Sequence, residues 1–179
     1  MGGKGVKRAR RADSGDGCPR TGIRHYAAHD LHSLQELFRE YWSSLGLSGD
    51  FQQFSEELRS LPRPYTPPSG CLLLASRGGQ TVGCMALRAI TADKAEAKRL
   101  FVRAPCRGLG IGKALLGRII DEACEAGYRQ LFADTLPHMK SALSLYAQTG
   151  FVQVTPYSRR PTPGAIYLEL DLSKHKRSG

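Results

Sequence analysis

No apolar run among the 179 residues approaches the ~20 needed to cross a membrane. The basic N-terminus lacks the apolar stretch of a secretory signal. Cysteine is sparse and scattered. Cys18, Cys71, Cys84, Cys106 and Cys124 are odd in number and contain no Cys-x-x-Cys pair, which argues against a disulfide framework and against a zinc site. A reducing cytoplasm is the expected setting. Acids are few, 16 against 26 Lys and Arg, for a net charge of +10. That excess invites a nucleic-acid reading, but its distribution weakens it. Residues 1–22 carry six cations against Asp13 and Asp16, and Lys174, Lys176 and Arg177 add three more, so the termini hold most of the charge. No aromatic platform interleaves with the basic residues, so nucleic acid is not an expected partner. There are no internal repeats.

What is present suits one folded domain. At this length about two-thirds of the unfolded surface can be buried without staples, and a mean hydropathy of −0.34 fits a globular chain. The expected organisation is a disordered basic tail over 1–22, a domain over 23–173, and a short basic tail over 174–179. Ile23–Ala27 reads as a strand, and Asp30 as the N-cap of a helix through Leu34, Leu37, Phe38 and Trp42 to Leu45. A second helix is expected from Gly49 to Ser60, then a Pro-rich loop to Gly70. Phe51, Phe54 and Tyr65 there serve either the core or a pocket wall. Cys71–Ser76 and Thr81–Leu87 read as strands joined by a hairpin at Arg77–Gln80, and Ala95–Val102 as a third. Further strands are expected at Gln130–Asp134, after Gly150, and in Gly164–Leu172, with a helix over 138–149. Three antiparallel strands followed by a strand–helix–strand crossover predict an α/β fold. Its central sheet is mixed, mostly antiparallel, with helices on both faces. His25, His29 and His32 lack the converging ligands of a metal site, and no metal is expected.

The most informative stretch follows the strand ending at Val102. Pro105 cannot continue a central strand. Gly108, Gly110 and Gly112 then alternate, and Ile111, Leu115, Ile119 and Ala123 recur four apart, as on one helix face ended by Gly127. A helix start offers unpaired N–H groups and a positive dipole end, and glycine lets an oxyanion approach the backbone. Arg107 and Lys113 add charge, so a phosphate or pyrophosphate is the natural ligand, with a plain connecting turn as the alternative. A P-loop fails, because Arg107 stands at its first glycine and Ala114 at its Ser/Thr. A dinucleotide fingerprint fails at Lys113 or Leu115. The pattern present is Arg107-x-x-Gly110-x-Gly112.

That pattern resembles the pyrophosphate loop of the GCN5-related N-acetyltransferase (GNAT) family. Ala142-x-x-Leu145-Tyr146 followed by Gly150-Phe151 resembles the family's second motif, in the family's order. Ala95–Val102 is similar to its strand before the loop. The resemblance spans about residues 21–172. It implies acetyl-CoA as co-substrate, held in a splay between the strands before and after the loop helix. Its contacts would be Leu100, Phe101 and Val102 beside the pantetheine, and Arg107, Gly108, Leu109, Gly110, Ile111, Gly112 and Lys113 around the pyrophosphate. It implies the Val102 N–H as oxyanion donor and Tyr146 as the acid that protonates the departing thiolate. Tyr146 could instead pack in the core and only hydrogen-bond the co-substrate. Glu96 stands where some members carry a base; a salt bridge to Lys98 or Arg88 is the rival reading. By strand alternation Glu96 shares a face with Lys98 and Leu100. Many members carry Asn where Met139 stands here, so a polar contact is missing or comes from His138 or Ser141.

The implied reaction is direct acetyl transfer to a primary amine. The amine must first lose a proton, because its pKa is about 10. Residues 41–70 and the Tyr157–Arg160 loop are expected to wall the acceptor pocket. That insert favours a small-molecule amine, and Arg159 and Arg160 hint at a carboxylate on it or merely at a solvated loop. A protein lysine or N-terminus as acceptor, and a non-catalytic CoA-binding sensor or scaffold, are the alternatives. Nothing in the sequence fixes oligomeric state; a homodimer is left open.

Overall fold

The computed structural model describes residues 19–46, 52–158 and 161–175. Most of the expected N-terminal tail, the end of the C-terminal one, Cys18, the expected helix start at Gly49, Phe51, Arg159 and Arg160 lie outside the described residues. Four strands open the sheet as an antiparallel series: β1 (Thr21–His25), β2 (Cys71–Arg77), β3 (Gln80–Ala89) and β4 (Lys94–Val102). β5 (Gln130–Thr135) lies parallel to β4. β6 (Val152–Val154) and β7 (Ile166–Asp171) complete the order β1-β2-β3-β4-β5-β7-β6. The expected mixed, mostly antiparallel sheet is therefore the observed one. Its β2–β3 hairpin turns through Gly78 and Gly79, whose φ of 56° and 80° are the left-handed pair that a two-residue turn matched to strand twist requires.

Alternating strand residues feed two cores. On one face Leu73, Met85, Ala97 and Leu131 meet Ile111, Leu115 and Ile119 of α3 (Ile111–Glu125), with Tyr146 of α4 (Lys140–Gln148) beside them. On the other, Leu72, Leu74, Cys84 and Ala86 meet Leu34, Leu37 and Phe38 of α1 (Leu31–Ser44) and Phe54 of α2 (Gln52–Ser60). Helices thus cover both faces, as alternation in strands buried on both sides demands. Tyr65 is 2% exposed and packs edge-on against Phe38, so it belongs to this second core.

Three local expectations change. β1 starts at Thr21, inside the stretch expected to be disordered, because the edge of β2 supplies partners as far as Thr21↔Arg77. Asp30 precedes α1 without capping it. Its carboxylate turns back to accept the Ala27 N–H at 2.8 Å and both terminal nitrogens of Arg24 at 2.6 Å. The strongest local cation wins the carboxylate over the helix's free N–H groups.

The third change matters most. β4 carries a bulge: Met85 faces both Arg99 and Leu100 between the pairs Ala86↔Lys98 and Cys84↔Phe101, and Arg99 takes the left-handed φ of 59°. One inserted residue reverses the alternation beyond it. Leu100 therefore joins the α3-side core, opposite Glu96, rather than sharing its face, while Phe101 moves to the α1 side.

The pairing of β4 with β5 covers only Lys94↔Gln130 to Ala97↔Ala133. Beyond that step the two strands continue to Val102 and Thr135 without bonding each other, which is the expected splay.

Candidate active site

A cleft of about 450 Å³ opens at the splay, bordered by Leu100, Phe101 and Val102 of β4, the glycine loop, and Ala142 and Leu145 of α4. The loop is shaped for an anion. Gly110, with φ of 78°, occupies the left-handed N-cap position of α3, and its carbonyl accepts the first helical bond from the Ala114 N–H at 3.0 Å. The N–H groups of Gly108 to Lys113 donate to no acceptor among the described residues; for Ile111 to Lys113 the first turn of a helix dictates this. Arg107 is tied back, its Nε donating to the Val102 carbonyl at 2.9 Å and its guanidinium lying 5.8 Å from the Phe101 ring centre. The predicted contacts Leu100, Phe101, Val102, Arg107, Gly108, Gly110, Ile111, Gly112 and Lys113 all border this cleft. Leu109 does not; the residue is 49% exposed, which leaves only its backbone for a ligand. His138, Met139 and Ser141 border it as well. Met139 accepts a hydrogen bond at Sδ from Thr135 Oγ1 at 3.5 Å, where a family asparagine would offer an amide.

The Arg103 N–H donates to Val82 in β3 at 2.8 Å. Backbone N–H groups alternate sides along a strand, so that of Val102 points away from β3, towards the splay.

On the α1 side of the sheet lies a second, charged chamber of about 180 Å³. Its walls include Tyr41 and Trp42 of α1, Leu45 just past its end, Phe54 of α2, and Arg88, Glu96, Lys98, Arg99 and Asp134 from the sheet. Of the expected wall residues, Tyr41, Trp42, Leu45 and Phe54 from 41–70 and Ser158 from the Tyr157–Arg160 loop border it, with Thr162 just beyond that loop. A gap of about 30 Å³ lies between cleft and chamber, lined by Lys98, Leu100, Asp134 and Tyr146, and Met139 borders all three spaces.

Tyr146 is 4% exposed, and its ring meets Phe151 edge-on at 5.0 Å. Its hydroxyl has no hydrogen-bond partner among the described residues. Burial pushes its phenol pKa well up, with the charge of Asp134 adding to the rise. It is therefore a phenol that holds its proton at neutral pH.

Glu96 is 4% exposed. It meets both predicted salt-bridge partners, Arg88 at 2.7 Å and Lys98 at 3.0 Å, and accepts the Tyr157 hydroxyl at 2.9 Å. Burial alone would raise its pKa, but Lys98 and Arg88 outweigh it and hold the carboxyl below its ordinary value. Lys98 also reaches Asp134 Oδ1 at 3.4 Å.

Below the chamber, Arg99 forms a two-pronged pair with Glu57 of α2, Nε donating to Oε1 at 3.0 Å and Nη2 meeting Oε2. Tyr65 donates its hydroxyl to the same Oε1. The guanidinium stands 5.6 Å from the Tyr41 ring centre. This network fastens the two-helix insert to the bulge. Glu57, Arg99, Tyr157 and Asp134 escape a motif search. Asp134 alone left a signal, as an acid ending an apolar strand at the carboxyl edge where open sheets bind ligands.

The three N-terminal histidines diverge. His25 meets Glu122 at 2.8 Å, His29 meets Asp30 at 3.4 Å, and His32 meets Glu36 at 3.2 Å.

Residues 31–151 match the family described as Acetyltransferase (GNAT) family. An uncharacterized N-acetyltransferase of Schizosaccharomyces pombe is 35% identical over 147 residues, covering 81% of this chain and 90% of that protein. Among solved structures, a GNAT-family acetyltransferase from Staphylococcus aureus superposes with a TM-score of 0.75 at 21% identity, covering 86% of this chain and 99% of that one. PaiA N-acetyltransferase from Thermoplasma acidophilum, solved with coenzyme A, gives 0.69 at 21% identity, covering 85% and 99%. With the glycine loop, the splay and the Tyr146 motif in this arrangement, the chain belongs to the GNAT family of N-acetyltransferases.

Proposed function

We propose that this N-acetyltransferase moves an acetyl group directly from acetyl-CoA to the primary amine of a small molecule. The observation that carries the reading is the row of free N–H groups from Gly108 to Lys113, at the foot of a splay that leads past Tyr146 to a separate charged chamber. The loop and its cations suit a pyrophosphate, and the coenzyme A complex of the Thermoplasma protein supports that choice. The thioester is the activated acyl donor; the chain's residues hold and polarise it. The Val102 N–H faces the splay and donates to the oxygen that gains charge. Tyr146 keeps its proton until the thiolate departs and then supplies it.

Glu96 takes the salt-bridge role in this reading. A carboxylate already shared by Arg88, Lys98 and Tyr157 is a poor proton acceptor and a good fixed anion. A chamber of about 180 Å³ is below the range of about 300–1,000 Å³ that drug-sized ligands occupy, which favours a small acceptor over a peptide. A reducing, cytoplasmic setting belongs to the same reading, with Cys71, Cys84, Cys106 and Cys124 all free thiols. No described helix is long and apolar enough to cross a membrane.

The test is thiol release from acetyl-CoA across free amino acids, simple alkylamines, polyamines, aminoglycosides and lysine peptides. Turnover with small amines supports the proposal. Turnover confined to peptides replaces the acceptor class, and silence with acetyl-CoA bound points to a sensing or scaffolding role.

A further inference from the structure

We infer that Asp134 receives the ammonium group of the acceptor and relays its proton away, and that the acceptor is a small monoamine. This inference rests on the proposed acetyl transfer. Among the described residues two carboxylates, Glu96 and Asp134, border the chamber, and they are unequal. Glu96 is saturated by two cations and a phenol. Asp134 has one long contact, Oδ1 to Lys98 Nζ at 3.4 Å, and its Oδ2 meets no partner among the described residues. Its side chain is 26% exposed, and it borders both the chamber and the gap leading to the cleft. Strand alternation sets it on the Phe132 face of β5, with Glu96 and Lys98 of β4. It is the first residue of β5 past the last paired step, Ala97↔Ala133. An amine entering from the chamber therefore meets an under-used carboxylate where the two spaces join.

The titratable and charged groups around Asp134 are Glu96, Lys98 and Arg99 of β4, Arg88 of β3, Tyr41 of α1, Tyr146 of α4, Tyr167 of β7, and Tyr157. Their balance sets both binding and chemistry. Asp134 attracts the ammonium, while Lys98 beside it disfavours the protonated amine and eases its loss of a proton. The ammonium gives one proton to Asp134, which passes it to solvent. The freed lone pair forms the C–N bond at the thioester carbonyl, and the C–S bond breaks. The thiolate takes the Tyr146 proton, and the second proton shed by the nitrogen restores the phenol. One ammonium and one thioester thus become one amide, one thiol and one released proton. Among the described residues the lining carboxylates are Glu96 and Asp134; Arg88 and Lys98 already hold Glu96, and Arg99 holds Glu57. A second ammonium on the acceptor would therefore find no carboxylate of its own, so a polyamine is disfavoured.

The test compares wild type, Asp134→Asn and Asp134→Glu in thiol release with small monoamines and with spermidine, from about pH 6 to about pH 10. Acetyl-CoA affinity is measured in parallel. For Asp134→Asn the expected result is a fall in kcat/KM for the amine of about 100-fold or more near neutrality. The deficit should shrink as pH approaches the pKa of the amine, with acetyl-CoA affinity unchanged. Asp134→Glu should keep the wild-type pH profile with a smaller loss, and spermidine should be a poor substrate for all three. The Asp134 assignment is overturned if Asp134→Asn matches wild type, or if its deficit is the same at every pH. Should Asp134→Asn fail to bind acetyl-CoA, Asp134→Glu decides, and a lost wild-type pH profile in that variant overturns the assignment. Preference for spermidine overturns the monoamine class. A wild-type protein that releases no thiol with any amine overturns the proposed function, and this assignment with it.

Discussion

Lys98 and Asp134 face each other across the first unpaired step of the parallel β4–β5 ladder, with Nζ 3.4 Å from Oδ1. One residue earlier in each strand, Ala97 and Ala133 are still ladder partners. The pair stands where the sheet opens, so both residues border the charged chamber as well as the gap that leads on to the cleft. This position makes the opening of the sheet an electrostatic feature as well as a gap.

Tyr146→Phe removes the only atom that the acid role uses and keeps the ring against Phe151. Turnover should fall about 100-fold or more, while acetyl-CoA binding by calorimetry stays near wild type. Equal turnover at every pH would refute the acid role.

Gly110→Ala asks an alanine to adopt φ near 78°. No heavy atom lies within 4 Å of the added methyl group, so the penalty is conformational, about 1–2 kcal/mol. Thermal unfolding should show that loss. Acetyl-CoA affinity should fall as well, because relaxing the turn re-aims the N–H groups of the first turn of α3.

Arg107→Ala removes a cation beside those N–H groups. The dissociation constant for acetyl-CoA should rise about tenfold, the scale of one charge-assisted hydrogen bond. Its dependence on salt concentration should flatten, which calorimetry at two ionic strengths measures.

Arg99→Leu strands the Glu57 carboxylate in the interior. Breaking such a pair costs about 3–5 kcal/mol, a fall in Tm on the order of 10 °C. Amine turnover should suffer beyond the loss of stability, because Arg99 fastens α2 to the floor of the chamber. A Tm within about 1 °C of wild type would show that the pair contributes little.

Acid should destabilise the fold in a defined window. The Arg24 hydrogen bonds hold Asp30 at about 2, against an ordinary 3.8. A carboxyl with a depressed folded-state pKa contributes its full stability above the unfolded value and loses it as the pH falls through the folded one. The stability from this pair is therefore present above about pH 4 and fades towards pH 2. Glu57 is also held below its ordinary value, Arg99 outweighing the upward push of burial, and adds loss in the same direction. Tm measured against pH should show a shallower acid decline for Arg24→Met than for wild type. An unchanged slope would remove Asp30 from this account.

The residues themselves determined the secondary elements, the two cores and the anion loop. Each depends on periodicity, turn chemistry or the unpaired groups of a helix start, and these are local properties of the chain. Leu115, Ile119 and Ala123 are fully buried as their spacing demands, and Gly78, Gly79, Gly110 and Gly127 all take positive φ where turns or helix ends were read. Tertiary structure decided what lies beyond local reach. The bulge at Arg99 inserts one residue and sends Leu100 to the face opposite Glu96, a reversal that no alternation pattern contains. Asp30 leaves the helix it precedes because Arg24, on a neighbouring strand, offers two charged hydrogen bonds. Glu96 can be a base or a salt-bridge partner as long as its neighbours are unknown, and Arg88, Lys98 and Tyr157 converge on it only once the sheet has formed. Asp134 acquires significance because β4 and β5 part at Ala97 and Ala133, which places at the junction a carboxylate whose second oxygen meets no partner among the described residues. A side chain's chemistry is set by the charges and burial around it, and those exist only once strands, turns and helices have been brought together.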